Sequence, residues 1–191
     1  MVGLRRFVMR ILNPYRAPRH PWLYRVWQVA MVLGHRPSAE DLAQVRAFLS
    51  PSLWHLFREM PPAEQAHGIR VWRGLRARGV ADPDLLTAAL LHDVGKARMR
   101  LRLWERIWAV VAHALLPSLA ERGGQGAPRG WRRALVVARH HAAWSARLLE
   151  SHGASPRTVA LVRHHHDAPD QVPDATLRAF LILLQEVDQR R

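Results

Sequence analysis

Apolar residues recur every three or four positions along most of this chain, and no stretch alternates convincingly over the length of a strand. That period lines them up on one side of an α-helix. Leu4, Phe7, Val8, Ile11 and Leu12 follow it opposite Arg5, Arg6 and Arg10, and Pro14 ends the helix. A second apolar stretch, Trp22 to Leu33, is interrupted by Arg25 and is too short to span a bilayer. Ser38 can cap a helix running to Leu49, and Ser50-Pro51 opens another that ends near Met60. Pro61-Pro62 breaks the chain; a helix then runs from about Ala63 to Arg78, with Gly79 as its stop. Asp82-Pro83 caps a helix that ends at His92-Asp93. Leu101 to Glu121, carrying Trp104, Ile107, Trp108, Val111 and Leu115, predicts one long core helix. Gly123 to Gly130 reads as a flexible loop, and Trp131 to His152 as a helix stopped by Gly153. Ser155-Pro156 starts a helix to about His166, and Asp174 caps the last one, through Leu177 and Leu184 to Asp188. There is no internal repeat. The expected fold class is all-α.

At 191 residues the chain is long enough for one domain with a real core and a short extension. Its hydrophobic content of 49% argues against disorder. It has no cysteine, which excludes disulfides and thiolate metal sites and fits a reducing cytoplasm. Any metal must therefore be held by His, Asp and Glu, and twelve histidines make that worth pursuing. The net charge of +14 and pI near 11.7 favour anionic partners: nucleotides, nucleic acid or anionic lipid. An arginine-rich composition also raises the pI without functional meaning. Residues 1–39 contain seven arginines and no acidic residue, and no signal-peptide cleavage pattern. This segment suits a peripheral contact with an anionic membrane. It equally suits a helix packed on the domain with its arginines in water. The glycine-rich run at 123–130 is not a phosphate-binding loop, because no strand precedes it and no Gly-Lys-Ser/Thr follows.

The candidate chemistry centres on His92-Asp93-Val94-Gly95-Lys96, at the end of the apolar run Leu85 to Leu91. Burying an unpartnered His or Asp is costly, and a metal ion that accepts nitrogen and anionic oxygen would partner both. Lys96 is the only lysine among 29 basic residues, which suggests a compact point charge is required there. His141 shares a helical face with Ala134, Val137, Ala138, Ser145 and Leu148, so it points inward. Of His164, His165 and His166, at most two can reach one site; helical phase favours His165, then His166. His67 lies beside an apolar face with Val71 and Leu75, and Asp188 follows Leu181 and Leu184 inward. His20, His35, His55, His113 and His152 have no such company and read as structural or surface residues.

His67, then His92-Asp93, then Asp188, all on helices, resembles the HD-domain superfamily of metal-dependent phosphohydrolases. The resemblance covers about residues 60–190, and the HDVGK run is its most specific part. It implies an HD-like helical bundle at 60–191 behind a basic helical extension at 1–59. The segment from His141 to Leu149 and the run Val162 to Asp167 resemble the two further histidine segments of HD proteins with two metals. The resemblance thus implies a first divalent metal on His67, His92, Asp93 and Asp188. Asp93 would bridge to a second, on His141, His165 and His166, with iron or manganese the suited metals. Asp93 and Lys96 would carry catalysis, and the substrate would be a nucleotide or other phosphoester. Ala142, Ala143 and Ser145 replace the family's usual Pro-Glu and Gly, and Asp167 its glutamate. Ala168-Pro169-Asp170 stands where the cyclic-di-GMP phosphodiesterase branch has Gly-Tyr-Pro. Rival readings are a non-catalytic HD module for signalling or membrane association, and nucleic-acid binding by the arginine surface.

Overall fold

The computed structural model describes residues 36–99 and 101–189, and the fold they form is all-α, without a strand among them. The helices are α1 (Ala39–Phe48), α2 (Pro51–Glu59), α3 (Pro62–Ala77), α4 (Pro83–Leu91), α5 (Leu103–Leu115), α6 (Pro117–Gly124), α7 (Arg133–Ser151), α8 (Pro156–His164) and α9 (Ala175–Gln189). Single 3₁₀ turns occupy Val94–Arg98, Gly130–Arg132 and Pro169–Gln171. The helix expected at residues 4–12 and the apolar stretch at 22–33 lie outside the described residues.

Most boundaries follow local chemistry. Ser38 and Asp41 form a reciprocal capping box at the start of α1, and the hydroxyls of Ser50 and Ser155 accept from the backbone N–H three residues on. Asp82 caps α4, and the Leu177 N–H donates to Asp174 at 2.6 Å. Each such cap is worth about 1 kcal/mol. Pro51, Pro62, Pro83 and Pro156 sit in the first turns of their helices, where a missing N–H costs nothing.

Two expectations are corrected. The single helix expected over 101–121 is broken at Leu116, whose φ of −135° and ψ of 57° leave the helical region. Pro117 is the cause: it has no N–H to donate, and its ring collides with the carbonyl four residues back in a continuous helix. Nor is this stretch a buried core helix, since Trp104 is 54% exposed and Leu115 55%. The glycine loop is also shorter than expected. Gly123 and Gly124 end α6 and are buried, and a Cβ on Gly123 would lie 2.9 Å from the Trp131 ring.

The chain divides into two compact units, and Leu101–Arg139 belongs to one of them. Its small core is Ala112, Ala120 and Leu135, with Trp108 and Ala109 packed against them. The other unit takes Arg36–Arg100 and His140–Arg191, and holds all the histidine and aspartate candidates. Its core joins Val45, Leu56 and Phe57 of α1 and α2 to Val71, Leu75, Leu85, Leu90, Leu149, Leu161, Leu181 and Leu184. Burying each large side chain there contributes about 1.5–3 kcal/mol.

Close helix contacts in this second unit bring distant residues together. At Gly68, next to His67, α3 meets α4 so closely that a Cβ would lie 2.6 Å from the Leu90 carbonyl oxygen. Replacing Gly68 with alanine should therefore push α3 from α4. The expected loss is about 1–3 kcal/mol, read as a lower urea midpoint for the Gly68→Ala chain.

Candidate metal centre

Two helices deliver histidines in the same way. Both α4 and α8 are nine residues long, open with proline, and pass directly into a histidine, His92 and His165. Their first turns are tied together. Arg157 Nε donates to Asp84 Oδ2 and Nη2 to Asp82 Oδ2, each at 2.8 Å, while Ser155 Oγ donates to Asp84 Oδ1 at 2.6 Å. Starting side by side, the helices end side by side: the His92 and His165 rings lie 5.2 Å apart. In each ring Nδ1 faces the backbone carbonyl three residues earlier, Ala89 at 3.0 Å and Val162 at 2.6 Å. A carbonyl only accepts, so the proton sits on Nδ1 and the lone pair on Nε2.

Asp93 occupies the centre and is buried. Its Oδ2 lies 3.5 Å from His92 Nε2 and 3.7 Å from His67 Nε2. Its Oδ1 lies 3.4 Å from His141 Nε2 and 3.9 Å from His165 Nε2. Around the first oxygen, His67, His92 and Asp188 bring ligand atoms within 4.8 Å of one another; around the second, His141, His165 and His166 do the same. His67 Nε2 is 2.9 Å from Asp188 Oδ1, and His166 Nε2 is 2.9 Å from His141 Nε2. Asp93 Oδ1 and His165 Nε2 are buried without a hydrogen-bond partner. Two such atoms, 3.9 Å apart and facing each other, suit a shared cation, so the donor set fits divalent metal. The two His/Asp groups could each hold one ion.

Charge and burial keep the ligands in binding form. Burial pushes the His165 imidazolium well below its usual range, helped by His92 and His166, and burial also lowers His92. Partial burial of its ring, with His141, lowers His166 to about 4, although the residue as a whole is exposed. All three are neutral at pH 7, as metal ligation requires. Burial works against ionising Asp93, yet Lys96, His92 and His141 hold its carboxyl well below the ordinary carboxylate range. Burial likewise opposes Asp188, and the hydrogen bond with His67 and the nearby His92 outweigh it. Lys96 Nζ lies 2.6 Å from Asp93 Oδ2; burial would lower its pKa, but Asp93 and Glu64 raise it.

The turn carrying this pair is pressed onto α7. A Cβ on Gly95 would lie 2.7 Å from Ser145 N, and the Gly95 N–H donates to Ser145 Oγ at 2.8 Å. Gly95 and the buried Ser145 thus bring Asp93 to His141, one turn earlier on α7. The sequence placed Ser145 on the inward face shared with His141 and marked it as a departure from a family pattern, but gave it no role; the pairing of an inward small polar residue with a glycine was the available signal. A second residue, Arg70, places Nη2 2.6 Å from His67 Nδ1. A guanidinium only donates, so His67 carries its proton on Nε2, facing Asp188.

All seven expected ligands, His67, His92, Asp93, His141, His165, His166 and Asp188, converge here, with Lys96 beside them. His165 and His166 do so from just beyond the end of α8 rather than from within it. Asp167 does not join the cluster through its carboxylate, which lies 2.7 Å from His164 Nδ1. His55 and His113 are exposed and His152 half-buried; His20 and His35 lie outside the described residues.

Two outcomes are expected. Unfolded histidine takes up a proton at about pH 6.5, whereas folded His166 resists to about 4. Stability from this source is complete above about pH 6.5 and drains away as pH falls through that window. The chelator-treated chain should show a melting temperature that declines from pH 7 to pH 4, with a shallower decline in His166→Ala. Removing the guanidinium frees His67 Nδ1 to take the proton and removes a cation, so Arg70→Ala should bind Mn²⁺ more tightly by calorimetry. The chain matches no family model, and no curated protein or solved structure matches it.

Proposed function

We propose that this chain is a metal-dependent phosphohydrolase of the HD-domain type, hydrolysing a phosphoester of a nucleotide or a phosphodiester. One observation carries the reading: a single buried carboxylate, Asp93, turns one oxygen to each of two histidine groups. His67, His92 and Asp188 with Asp93 Oδ2 would hold one cation, and His141, His165 and His166 with Asp93 Oδ1 the other. Iron or manganese suits nitrogen and carboxylate donors of this kind. A pair of such cations supplies an acidified water and a clamp on phosphoryl oxygens.

The chain's own residues do the remaining work. His92 and His165 keep fixed tautomers through their backbone carbonyls, so their lone pairs stay aimed at the site. Lys96, the half-buried partner of Asp93, is a positioned cation for charge that develops on phosphate. Arg70, exposed at the edge of His67, is the nearest guanidinium for a further phosphate group. Arg98 lines a different hollow, with Glu59 and Leu148.

The test is metal analysis of the purified chain together with hydrolysis of nitrophenyl phosphate mono- and diesters in added Mn²⁺ or Fe²⁺. Asp93→Ala should lose both metal and activity. Lys96→Ala should keep metal and lose rate by about a hundredfold. A wild-type chain that holds no metal and stays inactive with either ion overturns the reading.

A further inference from the structure

The net charge is distributed unevenly. Residues 36–100 and 140–191, which hold the histidine cluster, contain 16 basic and 13 acidic residues. Residues 101–139 contain seven arginines against Glu105 and Glu121. Glu105 is buried, accepting from the Arg102 N–H at 2.6 Å and from Arg133 at 3.2 Å, so Glu121 is the exposed acid of this stretch. Arg102, Arg122, Arg129 and Arg132 are exposed.

The same stretch carries the exposed apolar surface. Of six exposed large hydrophobic side chains among the described residues, five are Trp104, Leu115, Leu116, Leu119 and Trp131; the sixth is Ile182. Trp104, Leu119 and Trp131 join half-buried Trp108 around an open, wholly apolar hollow of about 360 Å³. Trp108 Nε1 donates to the Trp131 carbonyl at 2.9 Å, fixing one side of it. Arg132 lies over the Trp131 ring, 5.3 Å from its centre, and Arg122 is one helical turn from Leu119. The arginines therefore rim the apolar residues rather than forming a separate patch.

We propose that the α5–α6 face, with Trp131, docks on an anionic lipid surface, its tryptophans and leucines entering the headgroup boundary while the arginines meet lipid phosphates. Charge complementarity selects this occupant. Nucleic acid would use the arginines but leave Leu115 and Leu116 in water. A second copy, placed face to face, would oppose arginine to arginine. Tryptophan with leucine under a basic rim is the composition of interfacial contact. No helix among the described residues is long and apolar enough to cross a membrane, so the face lies on the surface.

The test is co-sedimentation of the full chain with vesicles of phosphatidylcholine alone or mixed with phosphatidylglycerol. The wild type should bind the mixed vesicles and largely ignore the neutral ones. Leu115→Ser/Leu116→Ser/Trp131→Ser should bind at least about tenfold more weakly. Arg122→Glu/Arg129→Glu, which spares the Arg132 guanidinium over the Trp131 ring, should do the same, and Ile182→Ser should bind as wild type. No wild-type binding, equal binding to neutral vesicles, or full binding by the charge-reversed variant overturns the proposal. So does a concentration-dependent dimer without vesicles that these substitutions abolish, or binding to RNA or DNA in place of vesicles. Loss of vesicle binding in Arg5→Gln/Arg6→Gln/Arg10→Gln alone would assign the contact to the N-terminal segment and overturn it as well.

Discussion

A carboxylate buried near the centre of a helical unit must be offset by its surroundings, and the surroundings of Asp93 are organised around that demand. Removing an ionised group from water costs several kcal/mol unless charge and hydrogen bonds replace the lost hydration. Lys96 meets one oxygen at 2.6 Å, and histidines from α3, α4, α7 and the end of α8 approach both. Each of these partners is itself restrained: His92 and His165 by carbonyls of their own helices, His67 by Arg70 and Asp188. Burial thus keeps these histidines neutral against the pull of Asp93, and their own hydrogen-bond partners set their orientation.

Glycine contacts and tied helix starts decide that these neighbours meet. Gly68 lets α3 lie against the Leu90 backbone, Gly95 seats the His-Asp turn on α7, and Arg157 clamps the beginnings of α4 and α8. None of them supplies a ligand atom. Helix C-termini also carry partial negative charge, so α4 and α8, both ending at the cluster, add a field that favours cations there.

What could be read in the sequence depended on how local its cause was. Ser38, Asp82, Ser155 and Asp174 act within a few residues, so their caps were legible. The inward phase of His141 and Asp188 followed from neighbouring apolar positions. Pro117 was outweighed by the apolar run around it, and the helix was drawn through a residue that cannot continue one. Gly123 and Gly124 looked like a loop because glycine usually marks one; their packing against Leu135 and Trp131 depends on residues that arrive later in the chain. The roles of Ser145 and Arg70 were hidden for a related reason, since each depends on which ring or turn a neighbouring element presents.

The unit that holds the cluster is made from two stretches of chain, 36–100 and 140–191, with 39 residues between them. Helical proteins commonly fold fast because their contacts are local. Here the clamp between Asp84 and Arg157 spans 73 positions, and that between His67 and Asp188 spans 121. During synthesis α3 and α4 leave the ribosome long before α8 and α9, exposing the apolar faces that those later helices cover. The cluster is thus among the last features the chain can assemble, and its slow step is the search that joins the two stretches rather than the winding of any helix.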